Sequence, residues 1–275
     1  MPWIIDSHED LAYNALSFQR DYLKSAADTR LLEKDSPVPQ YNGQSLLGWP
    51  DYQRGQIAAI FGTLFLSPRR YGIGAWETQT YSDSGQAFSL YEKQLTYYRR
   101  LCEEHPDQFR LILNQKDFQE VITPWKKTPA YWPQNNSKQE LDAEEADPRP
   151  QVTHPVGIVL LLEGAEGIRS PEDMEYWWER GVRLAGPVWA GTRFCGGTLV
   201  PGGFTREGFA LLDIMGELGY TLDISHMNEQ SALQALDRYQ GPVVASHANA
   251  RARLKDAEGE RQLTDLTIRR LIERD

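Results

Sequence analysis

Residues 220–253 constrain the fold more than any other stretch, because they read as strand, helix, strand within one βα repeat. Residues 220–224 are a short β-prone run that stops at Ser225-His226. Asn228 can cap a helix whose apolar residues Leu233, Leu236 and Tyr239 recur at helical spacing, and Gly241-Pro242 closes it. Residues 242–245 form a second apolar strand, which stops at Ser246-His247. Each strand thus ends in Ser-His, and the two histidines are 21 residues apart. A parallel sheet or barrel sets equivalent strand ends side by side at one edge, where ligands bind. Two imidazoles there make a natural pair of metal ligands. The alternative is two unrelated polar residues at strand ends.

The same grammar recurs along the chain. An apolar run at residues 3–5 leads into Asp6-Ser7-His8-Glu9-Asp10, and in extended backbone His8 and Asp10 point to the same side. Residues 56–66 read as a second buried strand stopped by Ser67-Pro68, and residues 109–113 as a third. Between them a helix over 85–105 carries Phe88, Tyr91, Leu95, Tyr98 and Leu101 on one face, a spacing that suits core packing. Residues 156–162 are the most apolar strand, and they end in Glu163. A carboxylate there is costly unless a cation or partner meets it. Residues 182–188 form the next strand, ending at Trp189, and helices follow at 205–219 and 266–273. Repeated strand-then-helix order predicts an α/β fold with a parallel sheet, of seven strands in this count.

Two stretches break the rhythm. Residues 33–55 form a long polar connection after the first strand, and residues 124–155 are rich in proline and charge without a sustained period. Both read as surface excursions from a single domain spanning 1–275, and their length suits a homodimer contact. The acidic run 140–147 reads as a solvated face, and His105 and His154 are given no chemical role.

Composition narrows the function. A net charge of −10 and the absence of a basic stripe with interleaved aromatics argue against nucleic acid as a partner. Cys102 and Cys195 are too few for a disulfide framework and neither sits in a CxxC, so a reducing, cytoplasmic setting is the expectation. No apolar run approaches a membrane span of about 20 residues. No Gly-x-Ser-x-Gly elbow or phosphate-binding glycine loop is found, which leaves serine hydrolase and nucleotide chemistry without support.

Collected, the strand-end residues His8, Asp10, Glu163, His226 and His247 supply two divalent ions. His8 and Asp10 serve one, His226 and His247 the other, and Glu163 bridges them. Nitrogen and carboxylate ligands of this kind suit zinc. Two such cations, roughly 3.5–4 Å apart, can hold a water as hydroxide and polarise a carbonyl.

The chain resembles the membrane dipeptidase (renal dipeptidase) family of zinc peptidases. The matching words are DSHEDLAYN, LLLEGAEGI, GVRLAGPVWAG with FTREG downstream, LDISHMNEQS, VVASHANARA and RQLTD, in the family's order over nearly the whole chain. The resemblance implies a (β/α)8 TIM barrel of the metal-dependent hydrolase type, two Zn2+, and hydrolysis of dipeptides, some with a D-residue on the C-terminal side. It carries the metal ligands onto His8, Asp10, Glu163, His226 and His247, and the arginine that grips the substrate carboxylate onto Arg261. Two departures qualify it. Trp189 stands where the family offers a substrate-binding histidine, and tryptophan cannot carry a positive charge. The family also continues past a helix like 266–273 into a further strand, and to an aspartate that orients the metal-bound water. The expectation is therefore a barrel lacking its C-terminal strand, with weak turnover from residues 1–275 alone. The competing expectations are a related amidohydrolase acting on a non-peptide amide or lactone, and a non-catalytic metal-binding derivative.

Overall fold

A computed structural model of the chain describes residues 3–72, 74, 76–127, 152–255 and 259–274. Its frame is a parallel sheet built from β1 (Ile4–Glu9), β2 (Ile57–Phe65), β5 (Phe109–Leu111), β6 (Val156–Glu163), β7 (Val182–Gly186), β8 (Thr221–Asp223) and β9 (Val243–Val244). The two-residue strands β3 (Ser67–Pro68) and β4 (Thr80–Tyr81) pair with each other outside it. The sheet runs β1-β2-β6-β7-β8-β9. Strand β5 lies against the first half of β6, with Phe109 opposite Val156, while β7 takes the second half, with Glu163 opposite Gly186. All seven strands read from the sequence are present, and the sheet curls as a half-barrel.

The physics of the strands is legible in their side chains. β2 and β6 are buried almost throughout, as strands covered on both faces must be. β1 instead starts exposed at Ile4 and Ile5 and becomes buried only at Glu9. Burial and the neighbouring Asp6 carboxylate push Glu9 up to about 9, so it enters the core uncharged. The strand-end residue His8 lies within β1, which runs on to Glu9 and is not confined to residues 3–5.

Helices pack on the outside of the curl. After β1 come α1 (Leu11–Phe18), α2 (Ala26–Glu33), α3 (Val38–Asn42) and α4 (Trp49–Gly55). The connection read as a polar loop over 33–55 thus contains two short helices. α4 begins with Pro50 in its first turn, where the missing N–H is not needed, and buries Tyr52 and Gln53. Next are α5 (Ser84–Glu104), started by the Asp83 cap on the Gln86 amide at 2.8 Å, and α6 (Gln115–Lys127). α6 extends into the start of the proline-rich excursion, carrying Pro124 inside it because Phe118, Val121, Ile122 and Trp125 keep an apolar face against the sheet. The remainder of that excursion, residues 128–151 with the acidic run, lies outside the described residues. The second half adds α7 (Asp173–Glu179), α8 (Arg206–Leu218), α9 (Glu229–Arg238) and α10 (Asp265–Ile272).

The parallel register brings the C-terminal ends of all strands to one edge. Curling also brings the two ends of the strand order together there: Ser7 Oγ of β1 donates to the Ser246 carbonyl, just past β9, at 2.5 Å.

Candidate metal centre

Three strand ends converge on Glu163, which itself ends a fourth. Its Oε1 lies 3.0 Å from His226 Nε2 and 3.2 Å from His247 Nε2, and its Oε2 lies 3.3 Å from His8 Nε2. His8 Nε2 is 3.6 Å from Asp10 Oδ1, and the His8 and His247 rings stack with centroids 3.6 Å apart. Donor atoms of His8, Glu163 and His247 come within 4.8 Å of one another. The five residues that the sequence nominated as ligands therefore meet at one place.

Local backbone chemistry explains how each is aimed. His226 follows β8 with φ at +67°, a left-handed conformation that a non-glycine residue holds only when its surroundings insist. Thr198 supplies part of that insistence: its hydroxyl lies 3.3 Å from the His226 carbonyl and 3.0 Å from His226 Nδ1. His247 Nδ1 meets Ser246 Oγ at 2.7 Å, and that hydroxyl donates to buried Asp223 Oδ2 at 2.5 Å. Asp10 accepts from Thr63 Oγ1 of β2 at 2.5 Å. Sequence reasoning did not find Thr63, Thr198, Asp223 or Ser246 as supports. The one available signal was that Asp223 stands between Leu222 and Ile224 in a β-prone run that otherwise buries apolar groups.

The electrostatics are those of a cluster that wants positive charge. Burial acts to raise the Glu163 carboxyl, but the His226, His247 and His8 imidazoles facing it overcome that and hold the group well below its ordinary range. Burial acts against charge on His8, yet the hydrogen bond and charge of Glu163, with Asp10 and Asp223 behind, lift it to about 9. Burial holds His226 below its ordinary value despite the same carboxylate. Three imidazoles around one ionised carboxylate, with a second carboxylate beside them, form a donor set that fits divalent cations.

The sequence model of the family described as membrane dipeptidase (peptidase family M19) matches residues 135–275. The chain belongs to the membrane dipeptidase family. The match includes Glu163, Trp189, His226, His247 and Arg261, while His8 and Asp10 lie before it. An uncharacterised protein in the PQQ-III 3′ region of Acinetobacter calcoaceticus is 25% identical over 260 residues, covering 89% of this chain and 74% of that one. Among solved structures, the metallopeptidase dipeptidase AC of family M19 superposes with a TM-score of 0.70 at 18% identity, over 98% of this chain and 69% of that one. A metallopeptidase from Rhodobacter sphaeroides, liganded with a phosphinate mimic of the dipeptide L-Ala-D-Ala, gives a TM-score of 0.70 at 18% identity, over 98% and 71% of the two chains. At that identity the two structures establish the shared fold.

Other residues of this membrane dipeptidase family member surround the cluster. Trp189 stands against His226, ring centroids 5.8 Å apart, and makes an edge contact with Phe65 at 5.4 Å. It is a wall of the centre. Arg261 reaches in from the loop before α10: its Nη2 donates to the His247 carbonyl at 2.7 Å, while its Nη1 is buried without a partner among the described residues. On the loop after Glu163, a cleft of about 490 Å³ opens, lined in part by Arg69, Arg70, Tyr81, Glu166 and Arg193. His105 is the C-cap of α5, and the His154 ring packs edge-on against Trp125 of α6. No helix among the described residues is long and apolar enough to cross a membrane.

Proposed function

We propose that the chain is a binuclear zinc dipeptidase whose centre is held by His8, Asp10, Glu163, His226 and His247. The observation that carries this reading is the division of Glu163, whose Oε1 faces His226 and His247 while its Oε2 faces His8. A carboxylate with its two oxygens turned toward separate nitrogen donors matches the way such a group bridges two cations. His8 and Asp10 would hold one, and His226 and His247 the other. When bound, the pair supplies Lewis acidity, both to a peptide carbonyl and to a water.

The chain's own residues do the rest. Arg261 Nη1 is a buried donor with no acceptor among the described residues, and an orphaned guanidinium nitrogen is costly unless a further group meets it. A substrate carboxylate is that group, and a planar fork suits it. Arg261 thereby orients the dipeptide, and Trp189 with Phe65 excludes water along one side. The dipeptide mimic bound by the Rhodobacter sphaeroides protein supports the substrate class. The free, buried thiols Cys102 and Cys195 support a reducing compartment.

One observation favours a second reading. Trp189 brings a neutral, bulky ring to 5.8 Å from His226, a surface that suits an apolar amide or lactone as well as a dipeptide. Hydrolysis rates on dipeptides against lactones separate the two.

The test is metal content per chain for wild type and Glu163→Ala, followed by dipeptide hydrolysis. About two zinc equivalents, largely lost in the variant, are expected for a bridged pair. A wild-type chain without tightly bound metal would overturn the reading.

A further inference from the structure

The hydroxyl group behind His247 fixes where its proton sits. A serine hydroxyl has one hydrogen to give. Ser246 Oγ stands 2.5 Å from Asp223 Oδ2 and 2.7 Å from His247 Nδ1. Asp223 Oδ1 accepts from the amides of Ser225 at 3.0 Å and Ser246 at 3.1 Å, which fixes the carboxylate so that Oδ2 is turned to accept from the Ser246 hydroxyl. The serine hydrogen therefore goes to Asp223, and the remaining contact requires His247 to donate its Nδ1–H. Its Nε2, 3.2 Å from Glu163 Oε1 and 2.9 Å from His226 Nε2, is then the nitrogen left free of a proton to take a cation or, without one, to accept from His226. His8 has no such support, for its Nδ1 is buried with no partner among the described residues.

We infer that Asp223 is a positioning residue: acting through Ser246, it holds His247 in the tautomer that can ligate a cation, and so sets how tightly that cation is bound. This rests on the metal-centre reading above and adds residues to it that touch neither cation nor substrate. The arrangement is directional. In Asp223→Asn, the amide oxygen can keep both backbone bonds while the amide nitrogen takes the place of Oδ2. That nitrogen donates to Ser246 Oγ, so the serine hydrogen turns to His247 Nδ1. The imidazole then carries its proton on Nε2, toward the centre, where no cation can use it. The fold has little reason to change, since the two amide bonds persist and the volume is the same.

The experiment pairs zinc affinity, by chelator competition, with ring 15N spectra of the metal-free protein. It covers wild type, Asp223→Asn, Ser246→Ala, Ser246→Thr and the double variant. Outer-shell partners of this kind are worth roughly 10–100-fold in metal affinity. Asp223→Asn and Ser246→Ala should each weaken zinc by about that factor, and Ser246→Thr should restore it. The double variant should bind no worse than the poorer single one, because both changes cut one chain of bonds. The spectra should show Nδ1–H at His247 in the wild type and Nε2–H in Asp223→Asn. Unchanged zinc affinity in Asp223→Asn overturns the inference. So does a loss of affinity with the tautomer unchanged, which would mark Asp223 as merely structural. If the wild type binds no zinc, the metal reading fails by itself, and the spectra still decide whether Asp223 controls the tautomer.

Discussion

Single residues at the strand ends carry more electrostatic work than their neighbours, and Glu166 shows the consequence for stability. It lies three positions beyond Glu163, is buried, and accepts from the Tyr91 hydroxyl at 3.2 Å through Oε2, while its Oε1 has no partner among the described residues. Burial, reinforced by the Glu163 charge, raises it from an ordinary 4.5 to about 8. A carboxyl raised on folding favours the folded state fully below pH 4.5, and that contribution is lost as pH climbs through 8. Wild type should therefore lose stability relative to Glu166→Gln over this window, by up to ~1.4 kcal/mol per pH unit. Urea denaturation of both proteins at several pH values reads the difference, and parallel stability curves would refute it. Glu163 was legible in the sequence because a carboxylate ends an apolar strand, and His8, Asp10, His226 and His247 because they end or follow such runs. Thr63, Thr198 and Ser246 were not, since a hydroxyl's role depends on the atom opposite it in space. The sequence does not say that Thr198 faces His226, 28 positions away.

At the scale of elements, β1 brings His8 and Asp10 to the centre, and what holds its end in place is a helix. Tyr98 of α5 reaches the Glu9 carbonyl at 3.4 Å and the Ala12 amide at 3.3 Å, so α5 ties β1 to α1. Gly62 of β2 leaves the room for this. A Cβ there would stand 2.8 Å from the Tyr98 ring and 2.9 Å from an Ile158 methyl, both fully buried. Gly62→Ala should cost ~1–3 kcal/mol by overpacking, read as a lower urea midpoint. It should also weaken zinc binding, because the ring it displaces steadies the strand end beside His8. Full stability with unchanged zinc affinity would count against that link. The same elements show what sequence patterning can and cannot deliver. α5 and α9 were legible from apolar spacing, α9 with Asn228 at its start although that side chain makes no capping bond, while the structure adds the caps Asp83 on α5 and Thr205 on α8. α6 was hidden by Pro124 and α4 by Pro50, each a local breaker outvoted by tertiary burial, of Trp125 and of Tyr52 respectively. Neighbouring chain decides such cases, and a single window of sequence does not contain it.

Across the whole molecule, the proposed ligands join parts of the chain that are far apart in sequence and at opposite ends of the strand order. His8 and Asp10 come with β1, Glu163 with β6, His226 after β8 and His247 after β9. The direct link between the two ends at this place is light, with the Ser7 hydroxyl on the Ser246 carbonyl and the His8 ring stacked on His247. Cations shared among these residues would add a far stronger tie, and one that exists only in the folded chain, because no unfolded conformer keeps residues 8 and 247 together. Whatever binds only the folded state stabilises it by mass action, by ~2.7 kcal/mol at a free concentration of 100 Kd. Zinc should therefore raise the urea midpoint of the wild-type chain in a concentration-dependent way, and a chelator should reverse the gain. Glu163→Ala tests the origin of the effect. Without the bridging carboxylate, the histidines lose the group that both His8 and the His226–His247 pair face, and the zinc-dependent increment should largely vanish. A wild-type midpoint that ignores both zinc and chelator would mean that the strand ends meet without being clamped. An increment that survives in Glu163→Ala would place the stabilising cation elsewhere on the molecule.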